Sequence, residues 1–426
     1  MSRHVELPYG DGTIAISVPG EKLLGVFEPR ALPPVPDAAA ALREALAEPI
    51  GAQRLRDMAR GAASVAIVVE DASRAVPSAL LVDAVMEELL AASVRPDAVK
   101  VIVATGLHRN LTPAEMNQTL GRWAGKLHIE NHNAKDPDRL MRVGGTGLGT
   151  DVAINRTFME ADLKILTGDV EYHQFCGYSG GAKGVYPGLA NADAIEANHS
   201  RMDLPGTGAG RLDGNPVRDE VDEVGRMVNV DHNLSVALDA QHRIVGACAG
   251  DVVESFRAAC RFVDEMYLVE VPGRADLVIA SAGGHPKDLD LYQSQKAIEE
   301  ATLVVEPGGD VLVAARCEEG SGSEPFEQWM DEAFSPEDII ERIGEKFVMG
   351  GHKAYQIARE LQRANVHLYS ELPPGRVRAW MMNPIGSVDG IDELIDAAES
   401  VIVLPQATLT LTRLAEDGRQ EAADGA

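Results

Sequence analysis

Short apolar runs, each closed by a polar or glycine-rich turn and followed by an amphipathic stretch, recur along the chain and predict alternating strands and helices. Residues 4–28 alternate apolar and polar positions around Gly10-Asp11-Gly12, the signature of a β-hairpin. An alanine-rich helical pattern follows over 37–60, with Pro36-Asp37 as its start signal. A continuous apolar run at 65–69 predicts a buried strand, followed by a helix over 80–92. The unit then repeats as a strand over 99–104, the loop Thr105-Gly106-Leu107-His108-Arg109-Asn110, and a helix. That helix is capped at Thr112, with Pro113 in its first position and Glu115 completing a capping box. His128 and His132 fall on another short strand, where they read as packing residues unless a site recruits them. A buried strand precedes Gly168, a helix covers 190–198, and Asn215-Pro216 starts another. Val271-Pro272-Gly273 marks a break, after which the pattern restarts, with strands at 311–314, 366–369 and 401–404. The expectation is an α/β protein of two α/β domains with mainly parallel sheets and a cleft between them. These are residues 1–272 and 273–415, followed by a small, polar, disordered tail at 416–426.

Length and composition agree with this. A chain of 426 residues exceeds one ordinary core. With 45% hydrophobic but only 4% aromatic residues, packing relies on Val, Leu, Ile and Ala. A formal charge of −27 argues against nucleic-acid partners, because binding phosphates needs a basic surface. The four cysteines, Cys176, Cys248, Cys260 and Cys317, lack CxxC spacing, so neither a zinc site nor a disulfide framework is indicated. The N-terminus has no apolar leader, and no apolar run approaches the ~18 residues of a spanning helix. The expectation is a cytoplasmic protein without a membrane partner.

The densest candidate chemistry lies between Gly168 and Gly188, where His173 and Lys183 stand among glycines at 177, 180, 181, 184 and 188. Such a loop exposes backbone N–H groups and permits positive φ, as an anion cradle requires. It is not a Walker loop, since Ala182 and Gly184 flank the lysine, and no GxGxxG follows a strand. Asp71, Ser73 and Arg74 stand at the carboxyl end of the first buried strand, where open α/β sheets meet ligands. Two readings stay open there: ligand contacts, or capping of the next helix by Asp71 or Ser73 with Arg74 paired to Asp71. His108, His173 and His199 all stand at loop or helix ends of one domain, without the spacing of a zinc site. A metal held by one of them needs a cofactor to supply its other ligands. Gln293 and Lys296 share a helix face, either a solvated surface or a ligand contact. His352 and Lys353 precede an apolar helix.

These pieces, in this order, resemble the nickel-dependent lactate racemase family, whose members carry a nickel-pincer nucleotide. The resemblance rests on DASRAVPS (71–78), TGLHR (105–109), NH (131–132), HQFCGYSGGAKGVYPG (173–188), NHS (198–200) and LYQSQK (291–296), and so spans nearly the whole chain. One departure is Ser73, where many relatives have Thr in a D-x-T-R sequence. The resemblance implies that Lys183 binds the pincer covalently through a thioamide and that His199 is the one protein ligand to nickel. It implies that Asp71, Ser73, Gly180 and Gly181 lie around the cofactor, and that His108 and His173 are paired acid/base residues. Arg74, Gln293 and Lys296 would contact the carboxylate and hydroxyl of a small-molecule 2-hydroxy acid. Racemisation would proceed by oxidation to a planar 2-keto acid and return of the hydride. His352 falls where lactate-specific relatives have an aromatic residue, which points to a larger or more polar substrate such as malate, 2-hydroxyglutarate or a sugar acid. Proteins that build the cofactor would be transient partners. The alternatives are a nickel-independent nucleotide- or ligand-binding protein, or a non-catalytic sensor, on the same fold.

Overall fold

The computed structural model of the protein describes residues 2–74, 76–345, 348 and 350–415, so the expected tail at 416–426 lies outside the described residues. The chain divides into two compact units. One is Ala31–Met266; the other joins Met1–Arg30 to Tyr267–Ala426.

The first unit is built on a six-stranded sheet in the order Ile244–Gly250, His232–Leu238, Leu163–Val170, Val65–Glu70, Val99–Ala104, His128–Asn131. All neighbours are parallel except the first pair. The central strand buries both faces: Val65, Ile67 and Val69 pack with Leu81 and Val85, while Ala66 and Val68 pack with Leu166 and Tyr186. That is why its sequence is continuously apolar rather than alternating. Its register sets Glu70 opposite Ala104, so Asp71 and Thr105 leave the sheet at one level. Leu163–Val170 lies on its other side, so the connections diverge from this strand in opposite directions. This is the switch point at which open α/β sheets take their ligands.

The second unit carries its own six-stranded parallel sheet, Asn383–Ile385, Asn365–Tyr369, Val305–Ala314, Ala275–Ser281, Val401–Leu404, Leu23–Val26. Its last strand comes from the start of the chain, which redraws the expected division at residue 272. The predicted hairpin, Ser2–Tyr9 paired with Gly12–Pro19, turns Val5, Leu7, Ile14, Ile16 and Val18 into the core that holds Leu277, Ile279 and Ile391. Leu268–Val271 also belongs here, paired with Leu411–Leu414, so the break precedes Val271-Pro272-Gly273.

The helix expected over 37–60 is two helices, Ala38–Ala47 and Leu55–Met58. Pro49 has no N–H to continue the first. Ile50 instead bonds to the sheet edge, donating to the Ala249 carbonyl and accepting from Asp251 N, each at 2.8 Å. The capping box at Thr112 and Glu115 forms as predicted. Among the described residues no helix is long and apolar enough to cross a membrane.

Leu7 is fully buried against the second unit's sheet. Leu7→Ala is therefore expected to lower stability by about 2–5 kcal/mol in denaturant unfolding. An unchanged midpoint would show that the hairpin is not part of that core.

Candidate functional site

At the switch point of the first unit, Asp71 accepts a 2.8 Å hydrogen bond from His108 Nδ1 and a 2.7 Å bond from the Ser73 amide. Burial pushes the Asp71 carboxyl up, but hydrogen bonds from His108 and Ser73 outweigh it and hold the group below its ordinary value. A carboxylate partner fixes the proton of neutral His108 on Nδ1 and leaves the lone pair on Nε2. His108 itself is 55% exposed in its side chain, so Nε2 can meet a ligand. Neither Asp71 nor Ser73 caps the following helix, whose N-cap is Pro77 without a side-chain bond. Arg74 does not pair with Asp71; its guanidinium forms an ion pair with Glu171.

Glu70 and Asp169, beneath these residues on adjacent strands, form a buried carboxyl pair. Burial, reinforced by Asp169, pushes Glu70 well above the ordinary carboxyl range, with Arg74 opposing, and burial raises Asp169 as well.

Lys183 lies in the short helical turn Gly181–Gly184, half-buried, and its amine has no hydrogen-bond or ion-pair partner among the described residues. Burial lowers its pKa to about 8; Cys176 and Glu70 favour the charge, whereas Arg74 and Arg218 oppose it. A substantial neutral fraction near pH 8 makes this amine a nucleophile. The glycines before it are packed rather than open. A Cβ on Gly180 (φ +83°) would stand 2.4 Å from the Asp169 carbonyl oxygen, and one on Gly181 (φ +59°) 2.8 Å from the Phe256 ring. Both are buried. Close approach demands glycine here, and the expected open cradle is filled by the protein's own atoms.

His199 ends the helix Ala192–His199 and donates from Nδ1 to the Ile195 carbonyl at 2.8 Å. The neutral ring therefore carries its lone pair on Nε2. Burial lowers its pKa to about 4; the Ile195 bond opposes this, and the charges of Lys183 and His108 add to it. His173, in the two-residue strand Tyr172–His173, instead accepts at Nδ1 from the Cys176 amide at 3.3 Å. Phe175 links the two histidines edge-on, its ring centroid 4.6 Å from that of His173 and 5.4 Å from that of His199. Among the described residues no three His, Cys, Asp or Glu side chains gather as a metal ion would require. A metal at His199 would thus draw its other ligands from a bound group.

His132 is buried, donates from Nε2 to the Ala190 carbonyl at 2.9 Å and has its pKa lowered by burial to about 4, which makes it a packing residue. His128 is exposed, 3.7 Å from Glu130.

The structure brings Asp71, Ser73, Arg74, His108, His173, Lys183 and His199 into the first unit. Gln293, Lys296 and His352 belong to the second. Gln293 and Lys296 are both exposed on the helix Leu291–Leu303. The His352 ring meets that helix edge-on at Tyr292, with centroids 6.2 Å apart. Sequence reasoning missed Glu171 and Phe175. Glu171 had a signal, since an acid two residues before a candidate histidine is a natural partner for an arginine.

Two family models match the chain: the lactate racemase N-terminal domain over residues 9–210 and the lactate racemase C-terminal domain over residues 271–410. The lactate racemase of Thermoanaerobacterium thermosaccharolyticum is 32% identical over 80% of each chain. That of Lactiplantibacillus plantarum is 31% identical over 79% of this chain and 80% of its own. The solved structure of the lactate racemase apoprotein from T. thermosaccharolyticum superposes with a TM-score of 0.86 at 28% identity, covering 96% of this chain and all 100% of its own. A Thermotoga maritima protein with 17% identity and a TM-score of 0.59 shares the fold alone.

The Lys183 environment gives a direct chemical expectation. At pH 8 about half of Lys183 is neutral, against well under about 1% of an ordinary lysine. Limited acetylation of the apoprotein at pH 7–8, followed by peptide mass analysis, should modify Lys183 ahead of exposed lysines, with a rate that levels off above pH 8. A rate still rising steeply to pH 10 would contradict the depressed value.

Proposed function

Because this chain belongs to the lactate racemase family and is an isomerase, a racemase, we propose that it inverts C2 of a 2-hydroxy acid with a nickel-pincer nucleotide joined covalently to Lys183. The observation that carries this reading is the pairing of two groups in one unit. One is an amine with a pKa of about 8 and no hydrogen-bond or ion-pair partner among the described residues, Lys183. The other is an imidazole, His199, held neutral with its lone pair on Nε2. The first suits acylation by the cofactor, and the second suits a single bond to a metal whose other ligands come from that cofactor. The residues present fit the group. When bound, it supplies a hydride acceptor, so that inversion can pass through a planar 2-keto acid.

The remaining work falls to the protein's own side chains. Arg74 is suited to the substrate's carboxylate, because a guanidinium holds a carboxylate through paired bonds. Asp71 and Ser73 lie about the cofactor, and Gly180 and Gly181 shape the turn that carries Lys183. His108, its Nδ1–H held by Asp71, takes the hydroxyl proton at Nε2, and the same carboxylate balances the charge the ring gains. His173 serves the opposite enantiomer. With Nδ1 accepting from Cys176, its neutral ring carries its proton on Nε2, and its acid form, the imidazolium, needs a proton on Nδ1 as well. Exchanging these roles requires His173 to release the Cys176 amide.

The relatives are named for lactate. The contact of His352 with Tyr292, on the helix that bears Gln293 and Lys296, supports a substrate larger or more polar than lactate. Four free, buried cysteines support a cytoplasmic setting, where proteins that build the cofactor would act on the chain transiently. A net charge of −27 supports the absence of nucleic-acid partners.

The test is the mass of the Lys183 peptide after co-expression with cofactor-building enzymes, beside a known lactate racemase. An adduct is expected. A bare lysine with the control loaded overturns the reading and favours a nickel-independent ligand-binding protein.

Once loaded, His108→Asn and His173→Asn should each lower kcat/KM by about 10²–10⁴-fold while keeping the adduct mass. Loss of less than about tenfold in either would remove that histidine from the acid/base pair.

A further inference from the structure

Glu220 lies on the helix Pro216–Met227 of the first unit, with its side chain fully buried. Its carboxylate gathers donors from several segments of the chain. The Thr146 and Thr150 hydroxyls, in the loop joining the strands Leu140–Gly145 and Asp151–Asn155, donate to Oε1 at 2.7 Å and 2.6 Å. Arg201 meets both carboxylate oxygens through one guanidinium nitrogen, at 2.7 Å and 2.8 Å. Tyr186 and Asn198 donate to Oε2 at 3.2 Å and 3.4 Å. Burial pushes the Glu220 carboxyl up, but Thr150, Thr146 and Arg201 hold it below its ordinary value, so it is a carboxylate at neutral pH.

The places of these donors in the chain give the cluster its meaning. Tyr186 follows Lys183 by three residues, and its hydroxyl proton is shared between Glu220 and the Ala194 carbonyl, 3.0 Å away. Ala194 and Asn198 belong to the helix Ala192–His199; Asn198 directly precedes His199, and Arg201 follows it by two. The helix Pro216–Met227 also backs the turn that carries Lys183. Arg218, 1% exposed, donates to the Gly180 carbonyl at 3.4 Å, and a Cβ on Gly225 would stand 2.8 Å from that of Ala182. One helix and one carboxylate thus tie the Lys183 turn to the helix end that bears His199. A buried ion pair is a poor source of stability, since packed apolar side chains do as well or better. A buried polar network that is fully satisfied instead specifies one arrangement of the segments that feed it.

We propose that Glu220 is a positioning residue of the cofactor site: through Tyr186, Asn198 and Arg201 it fixes where His199 stands relative to Lys183, so that one bound group can be attached at the lysine and held by the histidine at once. This rests on the reading that Lys183 and His199 hold one nickel-pincer nucleotide.

Variants co-expressed with cofactor-building enzymes test it. Glu220→Gln removes the charge at nearly constant size, Tyr186→Phe removes the shared hydroxyl, and Val221→Ala, fully buried on the same helix, is the packing control. Peptide mass should show the Lys183 adduct in each. The chelator concentration that strips half of the nickel should fall by about 10–100-fold in Glu220→Gln, as for residues that orient a metal ligand. It should fall by a smaller factor in Tyr186→Phe and by less than about threefold in Val221→Ala. A wild-type midpoint in Glu220→Gln, an equal fall in Val221→Ala, or a folded Glu220→Gln without the adduct overturns the proposal. Should Glu220→Gln fail to fold, Tyr186→Phe against Val221→Ala decides, and equal midpoints there overturn it. The second measurement needs no cofactor. In the apoprotein, amide hydrogen exchange over residues 192–202 should quicken by about tenfold or more in Glu220→Gln and stay near wild type in Val221→Ala. Unchanged exchange counts against the proposal. A wild-type chain that takes no adduct, beside a loaded lactate racemase, defeats the proposed function, whereas faster exchange confined to 192–202 would still show Glu220 holding the helix end at His199.

Discussion

A parallel ladder points every strand the same way, so whatever follows each strand in sequence is delivered to one edge of the sheet. In the first unit the strands Val65–Glu70, Val99–Ala104 and Leu163–Val170 are neighbours. Their continuations are Asp71 to Arg74, Thr105 to His108 and Glu171 to His173. Segments about a hundred residues apart thus supply two carboxylates, one guanidinium and two imidazoles to one edge of the sheet. The apolar strands have no chemistry of their own, but their register decides where the chemistry stands. Gly180 and Gly181 serve the same end, since only glycine lets the turn that carries Lys183 pass so close to the Asp169 carbonyl and the Phe256 ring.

Charge at that edge is arranged in depth. Glu70 and Asp169 lie lowest, and burial raises the pKa of both carboxyls. Arg74 is balanced by Glu171, and Asp71 is committed to His108. What remains is Lys183, with no carboxylate assigned to it, which is the condition for an amine that can lose its proton. Burial is what lowers its pKa, and the charges of Arg74 and Arg218 add to the effect.

Local signals in the sequence were read well where local physics decides. The strand Val99–Ala104, the Thr112 capping box and the Asn215 helix start depend on neighbours a few residues away. The break at Pro49 was equally local, but the alanine-rich pattern on one side of it obscured it. The hairpin's partner could not be read locally. Val5, Leu7 and Ile16 announce an apolar face, but nothing in residues 2–26 says that the face belongs to strands 250 or more positions later. The same limit hides Arg74 with Glu171 and Lys353 with Gln295, pairs joined only once the sheets have formed. The glycines mislead for another reason. An open cradle and a tight crossing both require glycine, and only the surroundings tell them apart.

Histidine makes the point most sharply, because four rings of one residue type differ here through the partner of a single nitrogen. A carboxylate at Nδ1 of His108 leaves the lone pair on Nε2 and can balance a proton gained there, which suits a base. A carbonyl at Nδ1 of His199 leaves the same lone pair, but burial and nearby Lys183 oppose any charge, which suits a metal ligand better than a base. A backbone N–H at Nδ1 of His173 reverses the tautomer and puts a proton on Nε2. His132, buried with Nε2 bonded to the Ala190 carbonyl, has no comparable outlet and packs. In the proposed racemisation the first and third of these must trade roles as the substrate changes hand. The two are not mirror images: His108 Nδ1 faces a carboxylate, and His173 Nδ1 faces a backbone amide.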